Sequence, residues 1–282
     1  MVYKGEKDAA MKKKKKRENK IMNAGYIILK IIMWVLILFF VSDTVMQFIS
    51  YSFYKGDRQL KEVACNPVKI QINDSLYGYG YNLDSDSDKV ILFFGGSMYI
   101  AYNTVGMYAG NFDCPFLSVD YYGTQESKGR MNLKTMKQSA EELYDYAKAK
   151  YPDKEIYIFG HSYGCGMAAY LASVRESKHL VLASGYRTSA DMYNKIIPIF
   201  WGPLQVFIKN NIRADVYAKN TTCEVTVLGS DSDKTLDADI QKKLAGYYDN
   251  ADCKIFSGIT HEDYFLTEEV INYVKENVLA EY

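Results

Sequence analysis

The hydrophobic positions of this chain follow two patterns, one long run near the N-terminus and a series of short runs after it. The long run, residues 21–50, carries Lys30 and Asp43 as its only charges, and residues 31–41 are apolar without interruption. A helix of about 20 apolar residues crosses a bilayer, and a lysine near its end can reach the interface. The pattern therefore predicts a transmembrane anchor at residues 21–49.

The short runs are bounded by turn residues, which is typical of strands covered on both faces of a sheet. Between two of them, apolar residues recur at steps of three or four from Leu133 to Ala147, which predicts a helix that closes before Pro152. Strands that alternate with helices predict a mostly parallel sheet with helices on both faces, an α/β fold. The predicted strands are 68–72, 76–83, 89–96, 114–123, 155–160, 179–185, 223–230 and 253–258, with a second helix at 238–248.

One segment, residues 186–220, is too long for a simple connection between two strands. It contains apolar patches at residues 196–201 and 204–208, separated by Pro203. The patches fit either a pair of helices that covers the sheet or a cap over a substrate pocket. The predicted organisation is thus a basic tail at 1–20, the anchor, and one domain at 50–282 with a possible cap.

Charge is balanced overall but unevenly placed. Lys and Arg together number 34, as do Asp and Glu, so no overall basic field indicates a nucleic-acid partner. Seven basic residues lie between positions 12 and 20, whereas Lys55, Arg58 and Lys61 are the basic residues just after the apolar run. The positive-inside rule then predicts a cytoplasmic N-terminus and an extracytoplasmic domain. A cleavable signal peptide is the alternative, and it is disfavoured because no A-x-A-like site follows the run.

The segment YIFGHSYGCGMAAYLAS, residues 157–173, holds the candidate chemistry. Ser162 stands between Gly160 and Gly164 in a G-x-S-x-G motif, after a predicted strand and before a helix of small residues. The glycines permit a sharp turn that lifts the serine above the sheet edge, and the following helix directs N–H groups toward developing negative charge. Ser162 is therefore the predicted nucleophile.

A serine hydroxyl needs a general base, and the base needs a carboxylate to orient it. The chain has three histidines, and His261 follows the last predicted strand, whereas His161 lies inside the motif and His179 precedes a strand. His261 is therefore the predicted general base, and His161 and His179 are set aside. Asp231 and Asp233 both follow the strand before the last one. Five cysteines without C-x-x-C spacing indicate neither a disulfide framework nor a zinc site.

From about residue 88 to 268, the chain resembles the α/β-hydrolase superfamily, and within it the membrane-anchored, single-domain serine hydrolases of the serine-aminopeptidase-like and depalmitoylase-like branches. The resemblance implies hydrolysis of an ester, thioester or amide through an acyl-enzyme, without a cofactor. A small-molecule or acylated substrate is expected. The motifs that carry it, in family order, are LFFGGS, VDYYGTQES, YPDKEIYIFGHSYGCGMAAYLA, CEVTVLGSDSDKTL and GITHEDYF.

The resemblance also implies roles for further residues. Aligning the family pattern C-P-V-L-V-I-H-G-x-x-D-x-x-V from Cys223 makes Asp233 the triad acid, with Asp231 as the alternate. Backbone amides of Tyr163 and Ser97 would form the oxyanion hole. The family's H-G-x loop reads G-G-S here, so Gly95 stands in the place of the histidine.

Two other functions remain open at this point. A hydrolase fold without activity could act as a membrane-tethered binding or interaction protein, since fold does not fix function. A peptidase or acyltransferase could use the same triad.

Overall fold

The computed structural model describes residues 2–56, 58–196, 198–208 and 210–280 and divides into two units, one of the first 46 residues and one of the rest. The N-terminal unit is part of one helix, α1 Val2–Tyr54, so the basic block predicted as a tail is helical. Within it, Met11–Val45 is long and apolar enough to cross a membrane. A signal sequence satisfies the same criteria of length and composition.

In the described residues, eight strands form one sheet, and each predicted strand has its counterpart. They are β1 Val68–Gln71, β2 Tyr77–Tyr81, β3 Lys89–Phe94, β4 Phe116–Val119, β5 Glu155–His161, β6 His179–Ala183, β7 Glu224–Ser230 and β8 Ala251–Phe256. Their order in the sheet is β1-β2-β4-β3-β5-β6-β7-β8. The pairs β1–β2 and β2–β4 are antiparallel, and the five pairs that follow in the sheet order are parallel. This confirms the mostly parallel α/β sheet.

The helices cover the sheet. They are α2 Ala101–Tyr108, α3 Leu133–Lys150, α4 Cys165–Ala172, α5 Ser189–Ile196, α6 Ala214–Tyr217, α7 Ala238–Ala245 and α8 Glu268–Val274. The predicted α3 begins at a capping box, in which the Asn132 side chain accepts from the Thr135 amide and Thr135 Oγ1 accepts from the Asn132 amide. Its apolar face is buried as the spacing predicts, at Met136, Ala140, Leu143 and Ala147.

Helix α2, like α8, was not predicted from the hydrophobic pattern. Its sequence, AYNTVGMY, has no clear apolar stripe, and its N-cap residue, Ile100, makes no side-chain cap. Instead, the buried carboxylate of Asp120, just beyond β4, accepts a hydrogen bond of 2.8 Å from the Ala101 amide. The helix therefore begins where a residue from another part of the chain satisfies one of its free amides.

The carboxyl ends of the parallel strands meet at one edge of the sheet, because parallel strands all point the same way. The loops after β3, β5, β6, β7 and β8 all leave from this edge. The central strands β3, β5 and β6 are buried along almost their whole length. A rigid core therefore holds the starting points of these five loops in place.

Segment 186–220 contains α5, a 3-10 turn at Gly202–Phe207 and α6, and its residues 197 and 209 lie outside the described residues. The 3-10 turn has no buried residue. From α5, the Tyr193 hydroxyl lies 3.5 Å from the hydroxyl of Tyr163, the residue after the predicted nucleophile. The choice between a helical cover and a cap stays a prediction.

Gly164 → Ala should destabilise the fold at the junction of β5 and α4. A Cβ at this position would lie 2.1 Å from the Phe94 carbonyl oxygen, which is backbone and has little freedom to move. Overpacking of this kind costs about 1–3 kcal/mol, and we expect the melting temperature to fall by several degrees.

Gly246 → Ala is the matched control, since a Cβ there meets its nearest neighbour at 3.6 Å, an ordinary contact. Thermal unfolding followed by circular dichroism measures both variants. Equal melting temperatures for the two would contradict the close packing of the β3 loop against the serine turn.

Candidate active site

Ser162 occupies a sharp turn between strand and helix, as the motif predicts. It follows the last residue of β5 and has a left-handed backbone, with φ of 52°. A 3-10 turn, Ser162–Gly164, then leads into α4. Few non-glycine residues adopt such a φ, so the surrounding structure must hold the serine there.

The structure brings the three residues of the predicted triad together. Ser162 Oγ lies 2.8 Å from His261 Nε2. On the other side of the ring, His261 Nδ1 lies 2.9 Å from Asp233 Oδ2 and 3.1 Å from Oδ1. The Asp233 side chain is fully buried and that of His261 is 14% exposed, which leaves the imidazole accessible from one side.

The environment of Asp233 keeps its carboxylate ionised. Burial alone would raise its pKa, but hydrogen bonds from His261, from Ser184 and from the Leu236 amide outweigh burial and lower the pKa to about 2. The Thr235 and Leu236 amides each donate to Oδ1 at 2.9 Å. A negative charge fixed in this way orients the imidazole.

Asp231, the alternate acid, lies elsewhere in the same loop. Its oxygens accept from Ser257 Oγ at 2.8 Å and from the Gly258 amide at 3.0 Å, and the residue is exposed. These hydrogen bonds, with one from Ser232, lower its pKa. The contacts join the loops after β7 and β8, whereas Asp233 is the acid that contacts His261.

His161, set aside as a base in the sequence analysis, has a contact that the sequence does not indicate. Its Nε2 lies 2.8 Å from the backbone carbonyl of His261. Burial and the neighbouring His261 ring lower the pKa of His161 to about 4, so it is neutral near pH 7. Because a carbonyl can only accept, Nε2 carries the proton and donates it, which fixes the backbone of the predicted base.

Ser184 is a second contact that the sequence does not reveal. It follows β6, is fully buried and has φ of 51°. Its hydroxyl donates to Asp233 Oδ2 at 2.5 Å, and its oxygen lies 2.9 Å from His261 Nδ1. Tyr264 Oη also donates to Asp233 Oδ2, at 3.3 Å. The one available sequence signal was position, at the end of the strand next to β7.

The loop after β3 approaches the serine closely. A Cβ on Gly96 would lie 3.2 Å from Ser162 Cβ, and Ser97 is exposed in the turn that follows. Tyr163 is buried, and its carbonyl accepts from the Tyr186 hydroxyl at 3.0 Å. The Ser97 and Tyr163 amides as oxyanion donors stay a prediction.

Other reactive groups in the described residues have structural partners. Cys165 is buried at the start of α4, where its thiol donates to the Ala183 carbonyl at 3.3 Å, and burial raises its pKa well above the usual value. His179 is buried, with its Nε2 2.8 Å from Thr226 Oγ1. Among the described residues, no cluster of three or more His, Cys, Asp or Glu is placed to hold a metal ion.

Comparison with known proteins identifies the same fold. A family profile described as alpha/beta hydrolase fold matches residues 94–202. The chain is 27% identical over 144 residues to the lysophosphatidylserine lipase ABHD12 of Danio rerio, an alignment that covers 45% of this chain and 38% of that protein. The chain therefore matches about two fifths of the length of this relative.

Two solved esterases have similar structures. The Pyrococcus furiosus esterase Pf2001 has a TM-score of 0.60 at 16% identity, over 79% of this chain and 95% of that one. Est1E of Butyrivibrio proteoclasticus, solved with ferulic acid bound, has a TM-score of 0.56 at 17% identity, over 76% of this chain and 100% of that one. At such identities the likeness establishes the fold.

His161 → Ala should slow the reaction of Ser162 with a fluorescent fluorophosphonate while the protein remains folded. The change removes the hydrogen bond that holds the part-buried His261 carbonyl, and the net contribution of such a bond is about 0.5–1.5 kcal/mol. We expect a labelling rate lower by roughly tenfold, which corresponds to about 1.4 kcal/mol.

His161 → Gln is the matched variant, since its side-chain amide retains an N–H donor. It should recover part of the labelling rate. The same rate for wild type and His161 → Ala would show that this hydrogen bond does not position the base.

Proposed function

We propose that this chain, which has the α/β-hydrolase fold, is a membrane-anchored serine hydrolase that cleaves acyl substrates through an acyl-enzyme on Ser162. The observation that carries the proposal is the unbroken hydrogen-bonded line from Ser162 Oγ through His261 to the ionised Asp233. Nucleophile, base and orienting acid then have the geometry that acyl transfer requires.

In the proposed reaction, His261 Nε2 takes the hydroxyl proton as Ser162 Oγ forms a bond to the substrate carbonyl carbon. The carbonyl oxygen becomes an oxyanion, which the Ser97 and Tyr163 amides stabilise. The intermediate collapses when the leaving group departs with the proton from Nε2. A water molecule then gives a proton to His261 Nε2 and its oxygen bonds to the acyl carbon. The bond from that carbon to Ser162 Oγ breaks, Oγ takes the proton back from Nε2, and the acid is released.

We propose a carboxylic ester as the preferred substrate, ahead of a thioester or an amide. Esterases with the same fold and the matched stretch of a lysophosphatidylserine lipase support an ester. An acyl ester of a lysophospholipid would also suit a chain that carries a candidate membrane span. Because the relative is matched over 38% of its length, the proposal leaves the lipid headgroup open, and the hydrolysis assay below compares two headgroups.

We further propose that α1 stays attached as a membrane anchor, with the basic block in the cytoplasm and the hydrolase domain on the other side. Seven Lys and Arg residues between positions 12 and 20 support this orientation.

Substitutions at the triad test the proposed function. Ser162 → Ala should abolish fluorophosphonate labelling and ester hydrolysis in a folded protein. Asp233 → Asn keeps the shape of the side chain but leaves the imidazole in the wrong tautomer, so kcat should fall by a factor of about 10⁴. Asp231 → Asn is the matched control and should retain activity within about twofold, since surface substitutions have small effects.

Release of free fatty acid from lysophosphatidylserine, its lysophosphatidylcholine analogue, an acyl thioester and an acyl amide measures substrate preference. A folded wild-type protein that neither reacts with the probe nor hydrolyses any of the four would overturn the proposal and favour a binding protein. Faster cleavage of the thioester or amide would overturn the ester assignment alone.

The proposed orientation predicts that protease added to intact cells digests the hydrolase domain, while an epitope tag at the N-terminus stays protected until the membrane is permeabilised. Replacing the basic residues at 12–17 by glutamine removes the charge difference and should produce molecules of both orientations. Carbonate extraction completes the test: a domain released from the membrane without residues 1–49 would identify a cleaved signal sequence instead of an anchor.

A further inference from the structure

Gly95 stands where the resembled family has a histidine, and the structure contains a physical reason. A Cβ built on Gly95 would lie 2.1 Å from Cδ2 and 2.7 Å from Cε2 of Tyr99. It would also lie 3.0 Å from Thr104 Oγ1. Tyr99 is buried at 5% exposure, so its ring is confined to this position. The space that a side chain at position 95 needs is therefore filled by the ring of Tyr99.

The hydroxyl of Tyr99 fixes that ring to the neighbouring strand β4. The hydroxyl is hydrogen-bonded to Ser118 Oγ and accepts from the Val119 amide at 3.1 Å. Ser118 Oγ in turn donates to the Phe93 carbonyl at 2.5 Å, next to the end of β3. These bonds connect the ring to both strands that flank the start of the loop.

The opposite side of the loop backbone contacts the serine turn. A Cβ on Gly164 would meet the carbonyl oxygens of Phe94 and Gly95 at 2.1 and 2.5 Å, and one on Gly96 would meet Ser162 Cβ at 3.2 Å. The backbone at residues 94–96 is thus held between the Tyr99 ring and the turn that carries Ser162. Any displacement of the ring gives this backbone room to move away from Ser162.

We propose that Tyr99 is a positioning residue, whose ring fills the space beside Gly95 and holds the loop after β3 so that its amide faces the oxyanion formed at Ser162. The inference rests on the proposed function. It also implies that a large side chain can support the loop from position 95 or from position 99, but that large side chains at both positions would collide.

The proposal predicts an effect on kcat rather than KM. The amide of the loop interacts with charge that exists in the transition state, so its displacement raises the barrier and leaves ground-state binding unchanged. Tyr99 → Phe keeps the ring and loses its anchor, and kcat should fall by roughly tenfold. Tyr99 → Ala also loses the ring, and the fall should approach about 10²-fold, the scale expected for misplacement by 1 Å.

An exchange of bulk tests this implication directly. Gly95 → His alone should lower both the melting temperature and kcat, because its Cβ collides with the Tyr99 ring. When Gly95 → His is combined with Tyr99 → Ala, the imidazole occupies the space that the ring has left. The double variant should therefore melt at a higher temperature than either single variant, and its kcat should be roughly tenfold higher than that of Tyr99 → Ala. Tyr102 → Phe, in the first turn of α2, is the control for loss of a tyrosine hydroxyl and should behave as wild type.

The measurements are thermal unfolding and steady-state hydrolysis of one ester by the full chain. Equal kcat for wild type and Tyr99 → Phe would overturn the positioning role. It would also be overturned if the effects of the two single substitutions on melting temperature and on kcat simply add in the double variant. An unreactive wild type with Ser162 unlabelled by fluorophosphonate would overturn the proposed function, and the catalytic part of this inference with it. In that case, recovery of melting temperature in the double variant would still establish the exchange of bulk.

Discussion

A buried negative charge is the constraint on which the rest of the site depends. Asp233 has no exposed side-chain surface, and an isolated carboxylate in such a place would take up a proton. Hydrogen bonds from His261, Ser184, Tyr264 and two backbone amides keep it ionised. The donors come from the segments that follow β6, β7 and β8, so the charge ties three parts of the chain together. The imidazole orientation follows from this arrangement.

The features that could be predicted from the sequence are those encoded locally. Short apolar runs predicted all eight strands, and the G-x-S-x-G motif predicted the sharp turn at Ser162. His261 was predicted from its position after the last strand, and Asp233 from the family resemblance rather than from local pattern; the structure places Asp233 against the imidazole. Local pattern suffices here because a strand or a tight turn is determined by neighbouring residues.

The features that could not be predicted depend on contacts between distant residues. His161 bonds to a carbonyl 100 positions away, Ser184 to a carboxylate 49 positions away, and α2 begins at an amide satisfied by Asp120. None of these has a motif, since any small polar residue at the right strand end could serve. The replacement of a loop histidine by Gly95 was visible in the sequence, but the ring that fills its space became apparent only when Tyr99 was placed in three dimensions.

The chain order of the triad has a consequence for biosynthesis. Ser162 follows β5, near the middle of the sheet, whereas His261 follows β8, the last strand to leave the ribosome. In the proposed mechanism, Ser162 has no base until β8 pairs with β7, and its hydroxyl keeps its ordinary, weak nucleophilicity. The proposal therefore implies a nascent chain that is inert toward acyl groups along its route of synthesis. The proposed reactivity would arise in one step when the final strand docks, so an activity-based probe would distinguish finished molecules from those still folding.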